Sequence, residues 1–159
     1  MPDINSFRQL MGCFATGVTV VTAEDAKHGP IGITINSITS VSLKPLLVLF
    51  CLEKKAHVYS PFKKAGHFAV NILTEKQEDI SRYFADYRSN PKPKKIWDKP
   101  QHGCPILSDT FGWMVCKKIE AYKGGDHTIF LGKVVGLQTH DKAHKPLVYF
   151  NGRYRKIKT

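Results

Sequence analysis

Small polar side chains alternate with apolar ones between Gly32 and Ser42, and this pattern could serve a polar ligand. The stretch contains Thr34, Ile35, Asn36, Ser37, Ser40 and Val41. Alternation of this kind predicts a half-buried β-strand that leads into a turn. Hydroxyl and amide groups suit a ligand that carries several alcohols, yet such groups also commonly bond to nearby backbone in turns. On residue types alone both interpretations stay open.

The next segment combines an apolar strand with a basic end. The run from Leu46 to Leu52 is too short to span a bilayer and predicts a strand buried on both faces. The segment Glu53–His57 follows it, and we expect a helix to open there beside Lys54 and Lys55. A helix start presents free N–H groups and a positive dipole end, which attract anions. A flat polar ligand with an anionic tail could use both segments.

Motifs for several other kinds of chemistry are missing from the sequence. There is no G-x-G-x-x-G after a strand and no G-x-x-x-x-G-K-[ST], so a Rossmann or P-loop nucleotide site has no support. The G-x-S-x-G elbow of many hydrolases is missing too. The pairs His102 with Cys104 and His140 with His144 lack the further ligands of a closed zinc site. We therefore predict no metal.

Strand signals dominate the chain, and helical signals are short. Strands are predicted at 18–22, 31–37, 46–52, 68–73, 111–122, 128–139, 147–150 and 153–157. These strands are not separated by long helices, which favours an antiparallel sheet or barrel. A nearly closed barrel leaves few free strand edges. We predict a mainly β (α+β) barrel with short helical excursions, forming a single domain over residues 1–159.

Local signals place the helices. Asn5 or Ser6 is predicted to cap a short helix from Phe7 to about Phe14. A further short helix is predicted at 56–65. Thr74 and Gln77 have the spacing of a capping box, which indicates a helix that continues through position 84.

Two turns and one long excursion complete the chain. Asn151-Gly152 is the strongest short hairpin signal in the sequence, and Gly124-Gly125-Asp126 marks a second hairpin. The segment 86–105 is rich in proline and lysine and predicts a long surface excursion, anchored at Ile96 and Trp97.

The chain is strongly basic, with 24 Lys and Arg against 13 Asp and Glu and a net charge of +11. Such charge favours nucleic acid, but no RNP, KH or zinc-finger pattern accompanies it. The charge could simply form a solvated basic surface, or it could attract phosphate-bearing dinucleotides or an acidic partner protein. We favour such attraction and predict no binding of nucleic acid.

Cysteine usage and hydropathy bear on location. Four cysteines are scattered without a C-x-x-C pair, and three of them lie in apolar company, so we expect buried free thiols in a reducing compartment. No apolar run approaches transmembrane length, and the first residues lack a secretory layout. We predict a cytoplasmic protein without membrane association.

Several segments in the same order resemble one known family. They are FATGVTVVT at 14–22, GITINSITSVSLKPLLVLFCLEKKAH at 32–57, GDHTIFLGKV at 125–134 and PLVYFNGRY at 146–154. Together they resemble the flavin reductase-like family, whose fold is an FMN-binding split β-barrel with Greek-key-like connections. The resemblance covers roughly residues 7 to 157.

The resemblance implies a role for each candidate residue. It places the flavin ring and its ribityl chain against Thr34, Ile35, Asn36, Ser37, Ser40 and Val41. It places the phosphate against Cys51, Leu52, Glu53, Lys54, Lys55, Ala56 and His57. His127, in the G-D-H motif, would lie at the flavin and nicotinamide end and act as the catalytic residue, although a histidine in a turn often only bonds to backbone. Phe84 would cover the flavin or simply fill the core, and Tyr154 would contact a dinucleotide.

The family also implies an activity. We expect an NAD(P)H-dependent flavin reductase that passes hydride from NADH or NADPH to FMN, or to FAD, and supplies reduced flavin to a partner monooxygenase. A homodimer is implied as well. The alternative is a flavoredoxin-like electron carrier that binds FMN without its own pyridine-nucleotide turnover.

Overall fold

The structure, a computed structural model, describes residues 1–140 and 145–157. Its helices are α1 (Ile4–Gly12), α2 (Tyr59–Lys64) and α3 (Glu78–Ala85), the last entered through a short 3-10 turn at Glu75–Gln77. The strands of the first half are β1 (Thr16–Gly17), β2 (Thr19–Asp25), β3 (Gly29–Ile35), β4 (Thr39–Leu43), β5 (Leu46–Glu53) and β6 (His67–Ile72). Those of the second half are β7 (Gly112–Gly124), β8 (His127–Thr139), β9 (Val148–Phe150) and β10 (Arg153–Arg155).

Seven strands form one antiparallel sheet in the order β3-β2-β6-β7-β8-β5-β4. The two edge strands, β3 and β4, are consecutive in the chain, so the sheet curls towards closure and stays open between them. Inside it, Phe50 packs on Phe68 and Phe130 with ring centroids 5.0 and 5.2 Å apart. The predicted fold class, a mainly β split barrel with short helical excursions, is confirmed.

A second, three-stranded sheet of order β1-β9-β10 packs beside the barrel. Its hairpin turns at Asn151-Gly152, where φ is 50° and 70°, and these left-handed values are the ones that such a two-residue turn requires. A second core cluster lies nearby and includes Val20, Leu73 and Phe84. The hairpin predicted at this position is confirmed. The described residues contain two strands that were not predicted, β1 in this sheet and β4 at the edge of the barrel, which brings the count to ten.

The long excursion between α3 and β7 is tied to the barrel through a buried amide. Asn71 donates through Nδ2 to the carbonyl of Val20 (3.0 Å) and accepts at Oδ1 from the N–H of Leu107 (2.9 Å). Ile96 is buried and Trp97 half-buried, so the predicted anchors are confirmed. The excursion is therefore packed against the barrel and contributes to the buried core.

Helix α1 differs from its prediction at both ends. Its cap is Asp3, whose Oδ1 accepts from the N–H groups of Asn5 and Ser6, so neither of the residues predicted as caps has that role. The helix ends at Gly12 rather than near Phe14, and none of its residues is buried. Its apolar side chains are therefore largely exposed among the described residues.

Two predictions about the segment 46–65 are wrong in detail. Strand β5 buries Val48, Phe50 and Leu52 but leaves the alternate side chains half-exposed, because only one face of the sheet meets the core. Helix α2 begins at Tyr59, and the residues before it form a turn. The capping box of Thr74 and Gln77 is confirmed.

The cysteines, one histidine of the predicted pairs and the hydropathy of the helices can each be compared with the predictions. Cys104 and Cys116 are buried, Cys51 is half-buried and Cys13 is exposed; all are free thiols. His144 lies outside the described residues. Within the described ranges, no helix has the length and apolarity that crossing a membrane requires.

Candidate functional site

The predicted polar residues lie along the opening between β3 and β4. Thr34 and Ile35 end β3, Asn36 and Ser37 form the link, and Ser40 lies on β4. A depression of about 200 Å³ adjoins them, lined by Val18, Thr34, Ile35, Asn36, Ser81, Ala85, Tyr149 and Tyr154. The structure thus brings Thr34, Ile35 and Asn36 together with the distant Tyr154, and the roles of these residues as ligands stay predictions.

Two of the polar side chains hold backbone in place. Thr34 donates through Oγ1 to the carbonyl of Ser81 (2.6 Å), which ties β3 to α3. The Ser37 hydroxyl donates to the carbonyl of Cys51 and accepts from its N–H, both at 3.1 Å. Ser37 thereby closes the gap between the β3–β4 link and β5, where no strand pairing exists.

The side chains of Asn36 and Ser40 remain free to bind a ligand. Both residues are exposed, and neither side chain has a hydrogen-bond partner among the described residues. The pairing of β4 with β5 shifts between Ser40 and Ser42, so Val41 lies at a β-bulge and is 47% exposed. Bulges at sheet edges often adjoin binding sites because they redirect side chains.

The turn after β5 presents backbone amides. The N–H of Lys54 donates to the carbonyl of Asp126 (2.9 Å), and its Nζ donates to the carbonyl of Gly125. In contrast, the N–H groups of Lys55, His57 and Val58 donate to no described residue. The free donors therefore come from this turn rather than from the predicted helix start at position 56.

A depression of about 260 Å³ lies at this turn and is lined by Lys55, Ala56, His57, Ala85, Asp86, Tyr87 and Arg88. Lys55 and His57 are thus brought together with Arg88, whereas Lys54 is held against the turn of the β7–β8 hairpin. Leu52 is only 1% exposed because its side chain points into the core, so only its backbone can face a ligand. Glu53 is exposed and lies opposite His127 in the β5–β8 register.

His127 begins β8 directly after the Gly125-Asp126 turn, where Gly125 has φ 65°. Its Nδ1 lies 2.7 Å from Oδ1 of Asp126, and this hydrogen bond holds the pKa of the Asp126 carboxyl below its usual value. An ionised carboxylate here keeps the proton of a neutral imidazole on Nδ1 and leaves Nε2 as an acceptor. The side chain of His127 is 42% exposed, so a ligand can reach it.

His57 lies beside the ring of Tyr87, with ring centroids 4.8 Å apart. Burial, together with the nearby charge of Arg88, lowers the pKa of His57. The neutral imidazole is therefore favoured in the free protein.

Phe84 and Tyr154 both pack within the protein. Phe84 is 7% exposed and meets Trp97 edge to face at 5.8 Å, as a core aromatic would. The Tyr154 hydroxyl is 2.7 Å from the Ser81 hydroxyl, and the Arg82 guanidinium lies 4.9 Å from the Tyr154 ring. The C-terminal hairpin is thereby docked on α3.

Sequence reasoning missed the residues that α3 and its continuation bring to the site. Ser81, Ala85, Tyr87 and Arg88 line the two depressions, although the last two belong to a segment predicted as a surface excursion. The sequence feature that could have indicated these site residues is a tyrosine and an arginine soon after an amphipathic helix. Among the described residues, no group of three His, Cys, Asp or Glu side chains could hold a metal ion.

Comparisons with known proteins identify the family. The flavin reductase like domain matches residues 11–158. A probable flavin reductase of Rhizobium meliloti (strain 1021) is 44% identical over 136 residues, covering 86% of this chain and 44% of that protein. The reductase component of the flavin-dependent trigonelline monooxygenase of Acinetobacter baylyi is 37% identical over 157 residues, covering 97% and 50%. The NADH:FAD oxidoreductase SgcE6 of Streptomyces globisporus, solved in complex with NAD and FAD fragments, matches with a TM-score of 0.89 at 36% identity, covering 98% of this chain and 93% of that one.

The chain spans about half the length of the first two relatives. Since the family match extends over nearly all of it, the chain belongs to the flavin reductase like domain family. The resemblance predicted from the sequence is confirmed.

Proposed function

We propose that this protein is an NAD(P)H-dependent flavin reductase that transfers hydride from a nicotinamide to FMN or FAD. The observation that carries the proposal is the opening between β3 and β4, where free polar groups lie next to a turn of unpaired amides. All three relatives named above are flavin reductases, reductase components or flavin oxidoreductases by name.

The residues present fit a phosphorylated flavin. Asn36 and Ser40 offer an amide and a hydroxyl to a ribityl chain, and the bulge at Val41 exposes an apolar side chain to the ring. The unpaired N–H groups of Lys55 and His57 suit a phosphate, and the Lys55 ammonium adds charge. In this proposal Thr34 and Ser37 shape the opening and Leu52 contributes backbone only.

The chain's own contribution is binding and orientation. When bound, the flavin supplies the hydride-accepting ring, and the protein positions and desolvates the reactants. His127 is proposed as the catalytic residue because its Nε2 can accept a hydrogen bond from the carboxamide of a nicotinamide. Asp126 fixes that tautomer through Nδ1.

The proposal includes a homodimer. The apolar side chains of α1 are largely exposed, at 70% for Ile4, 63% for Phe7 and 71% for Leu10, and Phe14, two residues after the helix, is 68% exposed. Such a contiguous apolar face is uncommon on a monomer, and an isologous contact would cover it on both subunits.

A partner monooxygenase, a cytoplasmic location and a single domain complete the proposal. One relative is named as the reductase component of a monooxygenase, which supports delivery of reduced flavin to an oxygenase. The four thiols of the chain are free, as a reducing compartment would keep them. The two large core clusters share strand β2, which supports one domain over residues 1–159.

Turnover with free flavin tests the proposal. Oxidation of NADH and of NADPH is followed with increasing FMN, FAD or no flavin added. A reductase gives a rate that rises with flavin, whereas a protein that stays yellow and oxidises neither nucleotide would be the electron carrier.

The His127→Asn variant is expected to raise KM for NADH while the flavin Kd stays unchanged. A weakened flavin Kd with an unchanged KM for NADH would contradict that role for His127.

A further inference from the structure

The tip of the β7–β8 hairpin, which carries His127, extends past the strands on either side of it. Strand β6 pairs with β7 only as far as Lys117, so positions 119–124 have no strand partner on that side among the described residues. On the other side, β5 pairs with β8 as far as Glu53, which lies opposite His127. The turn Gly125-Asp126 therefore lies beyond both neighbouring strands. Such a tip opens readily unless further contacts hold it.

Lys54 supplies two contacts to this turn, directly after the end of β5. Its N–H donates to the carbonyl of Asp126 (2.9 Å), and its Nζ donates to the carbonyl of Gly125. Gly125 has φ 65°, the left-handed conformation that a glycine at the first position of a two-residue hairpin turn supplies. One lysine thus binds both residues of the turn, once through its backbone and once through its side chain.

These contacts reach His127 through Asp126. The carbonyl of Asp126 accepts from Lys54, and its Oδ1 lies 2.7 Å from Nδ1 of His127. The hydrogen bond with His127 is the main cause of the low pKa of the Asp126 carboxyl, and the charge of Lys54 makes a smaller contribution in the same direction. Lys54 therefore fixes the backbone of the residue that orients the imidazole.

The donors of Lys54 are directed at the hairpin rather than at the proposed phosphate position. The N–H groups that donate to no described residue belong to Lys55, His57 and Val58, whereas the N–H of Lys54 is already used. Lys55 and His57 also line the depression at this turn, and Lys54 does not. Removing the Lys54 side chain should therefore change the affinity for flavin phosphate little.

We infer that Lys54 is a positioning residue, which binds both carbonyls of the Gly125-Asp126 turn and so holds Nε2 of His127 toward the nicotinamide. The inference rests on the proposed function, because that function gives His127 its contact with the nicotinamide carboxamide. Lys54 itself contacts neither reactant and acts through Asp126. Its loss should consequently weaken the binding of the nicotinamide nucleotide and leave the binding of flavin nearly unchanged.

Variants at position 54 test the inference. Lys54→Ala removes the bond from Nζ, and Lys54→Arg keeps a long cationic donor. Lys123→Ala, which removes another exposed lysine from the same hairpin, is the matched control. The measurements are the Kd of FMN, the Kd of NAD+ for the FMN-loaded protein, KM for NADH and the rate of amide hydrogen exchange at position 54. Both positions are exposed, so the variants should fold, which a thermal melt verifies.

Lys54→Ala is expected to raise the Kd of NAD+ and KM for NADH by about 3- to 10-fold, the loss of one hydrogen bond, and to change the Kd of FMN less than about two-fold. The amide at position 54 should exchange about 3- to 10-fold faster, because its bond to Asp126 opens whenever the tip moves away. Lys54→Arg should restore most of each loss, and Lys123→Ala should change none of the four quantities.

A double-mutant cycle with His127→Asn separates positioning of His127 from a direct contact of Lys54 with the nucleotide. Since Lys54 acts through His127, Lys54→Ala should have no further effect on the Kd of NAD+ in the His127→Asn background. The full loss in that background would overturn the inference. An unchanged Kd of NAD+ in Lys54→Ala alone, or a loss of FMN affinity as large as that of NAD+, would overturn it as well.

Failure of the inference and failure of the proposed function give different results, because binding and amide exchange are measured without turnover. A protein that shows the expected losses yet oxidises neither NADH nor NADPH would contradict the proposed reductase alone. A working reductase whose affinity for NAD+ does not depend on Lys54 would contradict the inference alone.

Discussion

Adjacent lysines at the proposed phosphate position face different surroundings. Lys54 donates through Nζ to the carbonyl of Gly125 and holds the β7–β8 turn, whereas Lys55 lines the depression with His57 and Arg88. The sequence could predict that basic charge follows β5, but not which lysine is available. That choice depends on the carbonyl of a turn 71 positions further along the chain.

Replacing Lys55 by alanine should therefore separate flavins by their phosphate. Loss of one charge-assisted hydrogen bond is expected to weaken FMN by about 10- to 100-fold and to leave riboflavin, which lacks the phosphate, unchanged. Fluorescence titration with both flavins checks this, with Lys54→Ala as the neighbouring control of smaller effect. Equal weakening of FMN and riboflavin would contradict the assignment.

Binding of the flavin phosphate should raise the pKa of His57. Burial and the charge of Arg88 hold its pKa in the free protein below the ordinary value of 6.5. The unfolded chain then binds the proton more readily, so the contribution of His57 to stability is present above pH 6.5 and falls as the pH drops through the interval below it. An NMR titration of the His57 ring should show that low pKa rising when FMN binds. No rise with FMN, or the same rise with riboflavin, would place the phosphate elsewhere.

At the scale of elements, turns and helix caps could be predicted because they depend on a few neighbouring residues. Contacts between segments that are distant in the sequence could not be predicted. The Asn151-Gly152 turn and the Thr74–Gln77 capping box are complete within a few residues, so both could be predicted. The Ser37 bridge to Cys51 could not, because it joins two segments that meet only after the barrel curls. For the same reason, Tyr87 was predicted in a surface excursion and lies at the site.

Helix α3 depends on one close approach to β3. The Gly32→Ala change places a Cβ within 2.7 Å of the Phe84 ring, which must shift together with the helix that carries Thr34's partner Ser81. Overpacking of this kind is expected to lower the free energy of unfolding by about 1–3 kcal/mol. Denaturant unfolding measures it, with Gly66→Ala as a control, since a Cβ at position 66 meets nothing within 4 Å. Equal stability of the two variants would show that Phe84 is not packed on Gly32.

At the scale of the whole molecule, the buried clusters of the described residues come mainly from the barrel strands, α2, α3 and the excursion after α3, and α1 contributes no buried residue. Its apolar side chains are exposed, and none of its residues is buried by the part of the chain that the structure describes. A second copy of the chain is the occupant that we propose.

The dimer can be tested by adding one carboxylate to that face. Leu10→Glu is expected to convert a dimer of the wild type into a monomer, because a charge would be buried without a partner at the contact. Gln9→Glu, the neighbouring position on the same helix, adds the same charge and is expected to keep the dimer. Light scattering after size exclusion gives the mass of each. A wild type of monomer mass, or a Leu10→Glu variant that stays dimeric, would contradict α1 as the interface.

The most direct test of the central claim is an experimental structure of the protein with FMN bound. We expect the ring beside Asn36 and Val41 at the opening between β3 and β4, its phosphate on the amides of Lys55 and His57, and His127 within reach of the ring. An empty opening with the ring bound at another surface would contradict it.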